Sequence, residues 1–297
     1  MFPRASDRHK PGMPTVPNGL GIFYVLISTI YLLLLHGFQN VNSTANQNSP
    51  ALNLAVCIMF GGFMGLLDDW MNLRWRYKAF LPIFAALPLG VLRQGTPVMS
   101  AYIFGRINFS EITVWIIPGE MIFYLGVIPL IATVTTNTVN QLGGLNGLET
   151  ICPSIILIAL MIVSSPEYRV LLYIPLAVYL ALAFFNFQGK IFVGNTGSFA
   201  MGITLASYAI IANIEQALLI SILPFIFNSS LKLFNILFFN RLPALKLKNN
   251  KLFADHRRSL LTLIAYHKPL SERQLVIVVS FIFAIFSVLA VLASWPL

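Results

Sequence analysis

The chain has 297 residues, of which 57% are hydrophobic and only 10% are charged, and its mean hydropathy is +0.79. Soluble domains carry about 25% charged residues, so this composition excludes an ordinary soluble protein and places most of the chain in a lipid bilayer. The net charge of +9 does not indicate nucleic-acid binding, because in a membrane protein the informative quantity is the side on which the cations lie.

Apolar runs recur along the whole chain. A helix needs about 20 mostly apolar residues to cross a bilayer, and nine runs meet or approach that length. In chain order they are 19–38, 51–67, 79–92, 112–134, 151–165, 170–187, 197–212, 216–239 and 274–294. The sequence therefore predicts an all-α fold, a polytopic bundle of about nine transmembrane helices. A single membrane domain covers 19–297, and a cytosolic segment covers 1–18.

The loops between the predicted spans divide into two sides. One side carries the N-terminal segment and the loops 68–78, 135–150, 188–196 and 240–273. It holds 15 Lys and Arg residues, against 3 on the other side, while Lys232 falls inside a predicted span. Cytosolic loops carry an excess of Lys and Arg, so the first side is predicted to be cytosolic. The sequon Asn42-Ser43-Thr44 falls on the opposite side, as a glycan acceptor requires.

Four polar stretches lie in these cytosolic loops. They are GLLDDWMNLRWRYK (65–78), TNTVNQLGGLNGLE (136–149), KIFVGNTGS (190–198) and ADHRRSL (254–260). They are far apart in sequence, yet the predicted topology places them on one membrane face. We therefore expect them to share a site.

The first stretch pairs two carboxylates with a later cation. Asp68 and Asp69 can hold a Mg²⁺ ion or act as a base, and Lys78 can place a point charge on a phosphate. The alternative is a solvated helix end, with Lys78 as an interfacial anchor. Charges near a membrane are costly and tend to be functional when they face a cavity.

The second and third stretches offer amides, glycines and an aromatic ring. Amide oxygens such as those of Asn140 and Asn146 suit hard cations, amide groups pair with base edges, and nearby glycines let backbone N–H groups approach a phosphate. An ordinary polar loop is the alternative for the asparagines. Phe192, before a glycine turn, is either a base-stacking platform or a membrane-interface aromatic.

The fourth stretch clusters His256, Arg257 and Arg258. Guanidinium groups suit a diphosphate. Cations that only mark the cytosolic side are the alternative.

Taken together, the order DDxxxLRWRxK, TNxxNxLxGxNGLE, FVGxT and a His/Arg cluster resembles the polyprenyl-phosphate N-acetylhexosamine-1-phosphate transferases. LRWR and NGLE are most similar to the eukaryotic UDP-GlcNAc:dolichyl-phosphate GlcNAc-1-phosphotransferase branch. The resemblance implies transfer of GlcNAc-1-phosphate from UDP-GlcNAc to dolichyl phosphate, which releases UMP, as the first step of N-glycan precursor synthesis. It also implies Mg²⁺, inhibition by tunicamycin, an endoplasmic reticulum membrane location with the site facing the cytosol, and a possible homodimer.

The resemblance also implies roles for particular residues. Asp68, Asp69 and Lys78 are the catalytic set, and Asn140 and Asn195 are the Mg²⁺ ligands. The implied substrate-binding residues are Asn18, Asn146, Glu149, Phe192, His256 and Arg257, with Asn146 and Phe192 on uracil and the last two on the GlcNAc and diphosphate.

The chain departs from the family pattern at several positions. Asn195 stands where the family has a metal-binding Asp, and Asn72 and Asn18 also replace acids. Family members typically have ten spans, so the expectation is either that the first span is absent here or that the start of the reading frame is set wrongly. The lost acids leave open a catalytically weak homologue that binds nucleotide sugar or partner glycosyltransferases. Within the enzyme class the alternative is a bacterial-type undecaprenyl-phosphate transferase, against which LRWR and NGLE argue. A transporter is disfavoured because the polar residues gather at one face and not at mid-membrane.

Overall fold

The computed structural model describes residues 2–41, 49–101 and 105–294, and the predicted sequon at 42–44 lies outside them. The first helices are α1 (Gly21–Val41), α2 (Pro50–Met71), α3 (Trp75–Ala85), α4 (Leu87–Val91), α5 (Gly119–Ile122), α6 (Ile128–Gln141) and α7 (Leu148–Val163). The later helices are α8 (Pro166–Arg169), α9 (Tyr173–Phe187), α10 (Gly194–Ile211), α11 (Glu215–Ser221), α12 (Leu223–Phe239), α13 (Leu260–His267) and α14 (Glu272–Ser294). A π-helical stretch, Phe123–Val127, joins α5 to α6, and 3₁₀ turns form at Phe109–Glu111 and Val170–Leu172.

The described strands are short and pair into antiparallel hairpins. They are β1 (Arg4–Ser6) with β2 (Thr15–Pro17), β3 (Val98–Ala101) with β4 (Gly105–Asn108), β5 (Thr113–Val114) with β6 (Ile117–Pro118), and β7 (Lys246–Lys248) with β8 (Lys251–Phe253). In the first hairpin Ala5 pairs with Val16. None of these hairpins extends into a larger sheet.

The predicted polytopic helical membrane protein is confirmed. Among the described residues, five helical segments are long and apolar enough to cross a membrane: Gly21–Phe38, Pro50–Met71, Gly119–Gln141, Pro166–Phe187 and Glu272–Ser294. The pair α11 and α12 gives a sixth if it is one span bent by 56°. The remaining predicted spans, at 79–92, 151–165 and 197–212, fold largely as helices that are shorter or less apolar.

Two predicted spans differ from the structure in their course. The span placed at 112–134 begins only at Gly119, because the chain first turns back through the β5–β6 hairpin. A Cβ atom at Gly119 would lie 2.1 Å from the Phe109 carbonyl oxygen, so a glycine is needed at this turn. The span placed at 79–92 breaks at Ala86. Pro88 lacks the N–H that would continue the helix.

Helix α10 lies at the centre of the bundle, and every residue from Thr196 to Ile211 is buried. Neighbouring helices approach it through glycines. A Cβ atom at Gly65 of α2 would lie 2.3 Å from the Asn195 carbonyl oxygen, and one at Gly202 would lie 2.6 Å from the Thr136 Cα atom of α6. Small residues at such crossings let helix backbones pack closely.

This packing brings three helix ends together. The C-terminal turns of α2 and α6 meet the N-terminal turn of α10, because both helices cross α10 at these close contacts. The first hairpin joins the same end of the bundle, since the Phe192 N–H donates to the Pro17 carbonyl (2.8 Å) and the Leu20 N–H donates to the Phe192 carbonyl (3.1 Å).

Candidate active site

The adjacent carboxylates at the end of α2 make different contacts. Asp69 is half-buried and accepts three hydrogen bonds from the first turn of α10. The Asn195 N–H donates to its Oδ1 (2.9 Å), and the Thr196 N–H (2.9 Å) and hydroxyl (2.8 Å) both donate to its Oδ2. A carboxylate at a helix N-terminus satisfies unpaired N–H groups and interacts favourably with the helix dipole. Asp69 therefore fixes the start of α10 against α2.

Asp68 is buried and pairs with Lys78. The Lys78 Nζ lies 2.8 Å from its Oδ1, and the Leu73 N–H donates to the same oxygen (3.0 Å). Its Oδ2 is buried and has no hydrogen-bond partner among the described residues. A buried carboxylate oxygen without a donor is costly. Asp68 thus has one oxygen available for a cation or a proton.

The two predicted metal ligands contact each other. The Asn140 amide group donates to Asn195 Oδ1 (2.9 Å) and to the Ser198 hydroxyl (2.8 Å). The Asn140 amide oxygen is left without a hydrogen bond among the described residues. Within residues 2–41, 49–101 and 105–294, no group of three or more His, Cys, Asp or Glu residues lies close enough together to hold a metal ion. Asp68 Oδ2 and the amide oxygens of Asn140 and Asn195, of which the last accepts the Asn140 hydrogen bond, are of the type that Mg²⁺ prefers.

Beside these residues lies a cavity of 310 Å³, here called the main cavity. Five residues of the predicted site line it: Asn18, Asp69, Glu149, Phe192 and Asn195. The other lining residues are Ser6, Asp7, Arg8, His9, Gly144 and Gly194. The structure therefore brings together predicted residues that lie up to 177 positions apart in the chain.

Glu149 lies in the first turn of α7, ahead of the predicted span 151–165. Burial raises the pKa of its carboxyl to about 7; the Gly144 N–H, which donates to Oε1 (3.2 Å), opposes this shift, and the nearby Asp69 charge adds to it. The side chain is half-buried and still reaches the main cavity. Glu149 can therefore exchange a proton near neutral pH.

Asn146 is buried just outside the lining of the main cavity. Its amide group donates to Asp7 Oδ2 (2.7 Å) and to Glu272 Oε1 (2.9 Å), and its backbone N–H donates to the same Glu272 oxygen (2.9 Å). Its Oδ1 is buried without a partner among the described residues. Two carboxylates thus fix the orientation of this side chain.

The N-terminal hairpin supplies residues that sequence reasoning missed. Asp7 is 2% exposed and pairs with Lys10 (3.0 Å), and it also holds Asn146. Arg8 and His9 follow it in the wall of the main cavity. The Asp-x-x-Lys spacing in the N-terminal segment was the available signal, but an i, i+3 charge pair is common on any solvated turn.

The structure places His256 and Arg257 outside the lining of the main cavity. The Ala244 N–H donates to His256 Nε2 (3.2 Å), which requires an imidazole unprotonated at that nitrogen. Burial, followed by the Arg258 charge, lowers the pKa of His256. The Arg257 guanidinium lies over the Tyr266 ring at 4.3 Å. His256 therefore closes the segment that contains β7 and β8, and Arg257 contacts α13.

Comparison with known proteins gives consistent matches. The model of a family described as glycosyl transferase family 4 matches residues 51–213. A Saccharolobus solfataricus protein, provisionally named a UDP-N-acetylglucosamine–dolichyl-phosphate N-acetylglucosaminephosphotransferase, is 31% identical over 96% of this chain and 86% of its own length. A Dictyostelium discoideum protein with that enzyme name is 31% identical over 91% of this chain and 76% of its own length. A phospho-N-acetylmuramoyl-pentapeptide-transferase from Clostridium acetobutylicum is 26% identical over 71% of this chain and 65% of its own length.

Proposed function

The chain belongs to glycosyl transferase family 4, and from this membership we propose that it transfers GlcNAc-1-phosphate from UDP-GlcNAc to dolichyl phosphate. The products are UMP and GlcNAc-diphosphodolichol. The observation that carries the proposal is the main cavity, where residues of the N-terminal hairpin, α2, α7, α10 and the loop before α10 converge. Relatives that align over most of the chain are named for this reaction.

In the proposed reaction, a phosphate oxygen of dolichyl phosphate attacks the β-phosphorus of UDP-GlcNAc. A new P–O bond forms, and the bond to the bridging oxygen of UMP breaks. Such phosphoryl transfer depends mainly on positioning and on neutralisation of charge. Lys78 is held by Asp68 and is 28% exposed, so its ammonium can contact a phosphate at the end of α2.

Asp68 and Asp69 have different roles in the proposed reaction, because they make different contacts. Asp68 has a buried oxygen with no hydrogen-bond partner in the described part of the chain, so it is the carboxylate available to take a proton from the acceptor phosphate or to hold a cation. Both carboxylate oxygens of Asp69 accept hydrogen bonds from α10, so Asp69 acts by positioning Asn195. Phe192 would contact the uracil base, and Glu149 and Asn18 line the remaining wall. A uracil contact by Asn146 stays a prediction, since this residue is buried outside that lining.

Asp68, Asn140 and Asn195 carry oxygens of the type that would hold a Mg²⁺ ion, which when bound would neutralise charge on the diphosphate. An amide at position 195 carries no negative charge. We therefore expect weaker Mg²⁺ binding than a carboxylate would give at this position.

The apolar outer surfaces of the helices suit a bilayer, with the main cavity at the predicted cytosolic face. In a cell that has an endoplasmic reticulum, we place the protein in that membrane. The homodimer stays a prediction, which light scattering of the detergent-solubilised protein would test. Inhibition by tunicamycin likewise stays a prediction.

The first experiment follows labelled UDP-GlcNAc into lipid in membranes that contain the chain, with and without Mg²⁺. Wild type, Asn195→Asp and Asp68→Asn are compared. The proposal expects Mg²⁺-dependent, tunicamycin-sensitive transfer by wild type, more transfer at low Mg²⁺ by Asn195→Asp, and none by Asp68→Asn. Transfer by Asn195→Asp alone would favour the catalytically weak homologue. No transfer by wild type or by Asn195→Asp would refute the enzyme.

A further inference from the structure

A lysine inside a predicted span has no role in the site described so far. Lys232 lies in the middle of α12 and is half-buried. Its ammonium donates to the Gln141 carbonyl at the end of α6. Among the described residues no carboxylate lies within 4.0 Å of it, whereas Lys10, Lys78 and Lys246 each have one.

Lys232 lines a second cavity of 140 Å³, here called the small cavity. The chain segments 143–145 and 243–245 form two of its walls, and Ser259 and Thr262 lie at the start of α13. His9 and Gly144 line both the small cavity and the main cavity. The two cavities are therefore neighbours that share a wall.

A cation in this position needs an explanation. Removing an ammonium from water is costly unless it is paired and hydrogen-bonded. An ammonium has three N–H donors. The Gln141 carbonyl accepts from one of them, so two donors of Lys232 remain. A phosphate oxygen is a strong acceptor for such a group.

A diphosphate bound in the main cavity would also require cations to neutralise its charge. His256 and Arg257, the cations expected at the diphosphate, line neither cavity. Arg8 and Lys232 are the Lys and Arg residues in the linings of the two cavities. Neither forms a salt bridge among the described residues, but Arg8 is exposed to water whereas Lys232 is half-buried.

We infer that Lys232, in the small cavity, binds a phosphate group of a substrate. This inference rests on the proposed function and adds a residue to it. Two sources of phosphate share this chemistry, namely the diphosphate of UDP-GlcNAc and the phosphate of the polyprenyl acceptor. A purely structural role is the competing account, because a cation near the end of α6 also interacts with its last carbonyl groups.

The test compares Lys232→Met, which keeps the length of the side chain and removes its charge, with Lys232→Arg. Lys248→Met is the matched control, since Lys248 is exposed on β7. KM is measured separately for UDP-GlcNAc and for a short-chain polyprenyl phosphate. The melting temperature of each detergent-solubilised variant is measured with and without UMP and inorganic pyrophosphate.

The inference predicts that Lys232→Met raises KM for one of the two substrates by roughly 10- to 100-fold, and the substrate affected identifies the source of the phosphate. The melting temperature without ligand should stay level or rise, because an unpaired charge is removed. Lys232→Arg should recover part of the loss, and Lys248→Met should leave both KM values unchanged.

A fall in melting temperature with both KM values unchanged would overturn the inference in favour of a structural clamp. If wild type shows no transfer, the proposed function fails separately. The stabilisation of wild type by UMP or pyrophosphate, and its loss in Lys232→Met, would then decide the inference. Equal stabilisation of both proteins would refute it.

Discussion

Replacing Asp69 by asparagine tests whether this residue holds α10 in place. Asparagine keeps one acceptor oxygen for the Asn195 N–H, and its amide group can donate to the Thr196 hydroxyl, but it cannot accept from the Thr196 N–H; that hydrogen bond is lost and the other two lose their charged partner. A hydrogen bond contributes about 1–1.5 kcal/mol, and more when one partner is charged. We therefore expect Asp69→Asn to lower the free energy of unfolding by about 2–3 kcal/mol.

The assay is unfolding in mixed detergent micelles, followed by the loss of helical circular dichroism. Thr196→Val removes only the hydroxyl bond and should cost about 1 kcal/mol. Because the two side chains contact each other, the double variant should show a coupling free energy of at least about 0.5 kcal/mol. An Asp69→Asn protein within about 0.5 kcal/mol of wild type, or strictly additive losses, would refute the positioning role.

Three further predictions concern the same end of the bundle. Gly65→Ala should lower the melting temperature sharply, since its Cβ atom would lie 2.3 Å from the Asn195 carbonyl oxygen; unchanged melting would contradict this close approach. Burial raises the pKa of Glu149 from its ordinary 4.5 to about 7, so its protonated form stabilises the fold fully below about pH 4.5, and that contribution is lost as the pH rises through 7. Melting temperatures from pH 5 to 8 should therefore fall more for wild type than for Glu149→Gln, and parallel curves would argue against the shift. Asp7→Asn should raise KM for UDP-GlcNAc roughly 10-fold with a smaller change for the acceptor, because it weakens the hold on Asn146; equal changes in both KM values would mean a general loss of structure.

Hydrophobic runs predicted the helical bundle because burial in lipid demands long apolar helices. They could not place the break at Ala86 or the late start at Gly119, since both depend on backbone packing. Pro88 and Gly119 are the local residues involved. Only three-dimensional contacts show that the helix breaks before Pro88 and that Gly119 allows a turn.

The polar motifs predicted which stretches meet but not what each side chain does. Successive residues of a helix point about 100° apart, so Asp68 and Asp69 contact different partners although the sequence presents them as a pair. The contact between Asp7 and Asn146 joins residues 139 positions apart. Local patterns carry no information about such a pairing, and the same holds for the separate location of His256.

The walls of the main cavity differ in stability, because α10 lies at the centre of the bundle and the first hairpin lies at its surface. Amide hydrogens of α10 are expected to exchange with solvent mainly through opening of the whole bundle, since its residues from Thr196 onward are buried. A two-stranded hairpin such as β1–β2 is marginally stable by itself, so its amides exchange through local opening. Ligand binding in the main cavity should therefore slow amide exchange in the hairpin before it slows exchange in α10.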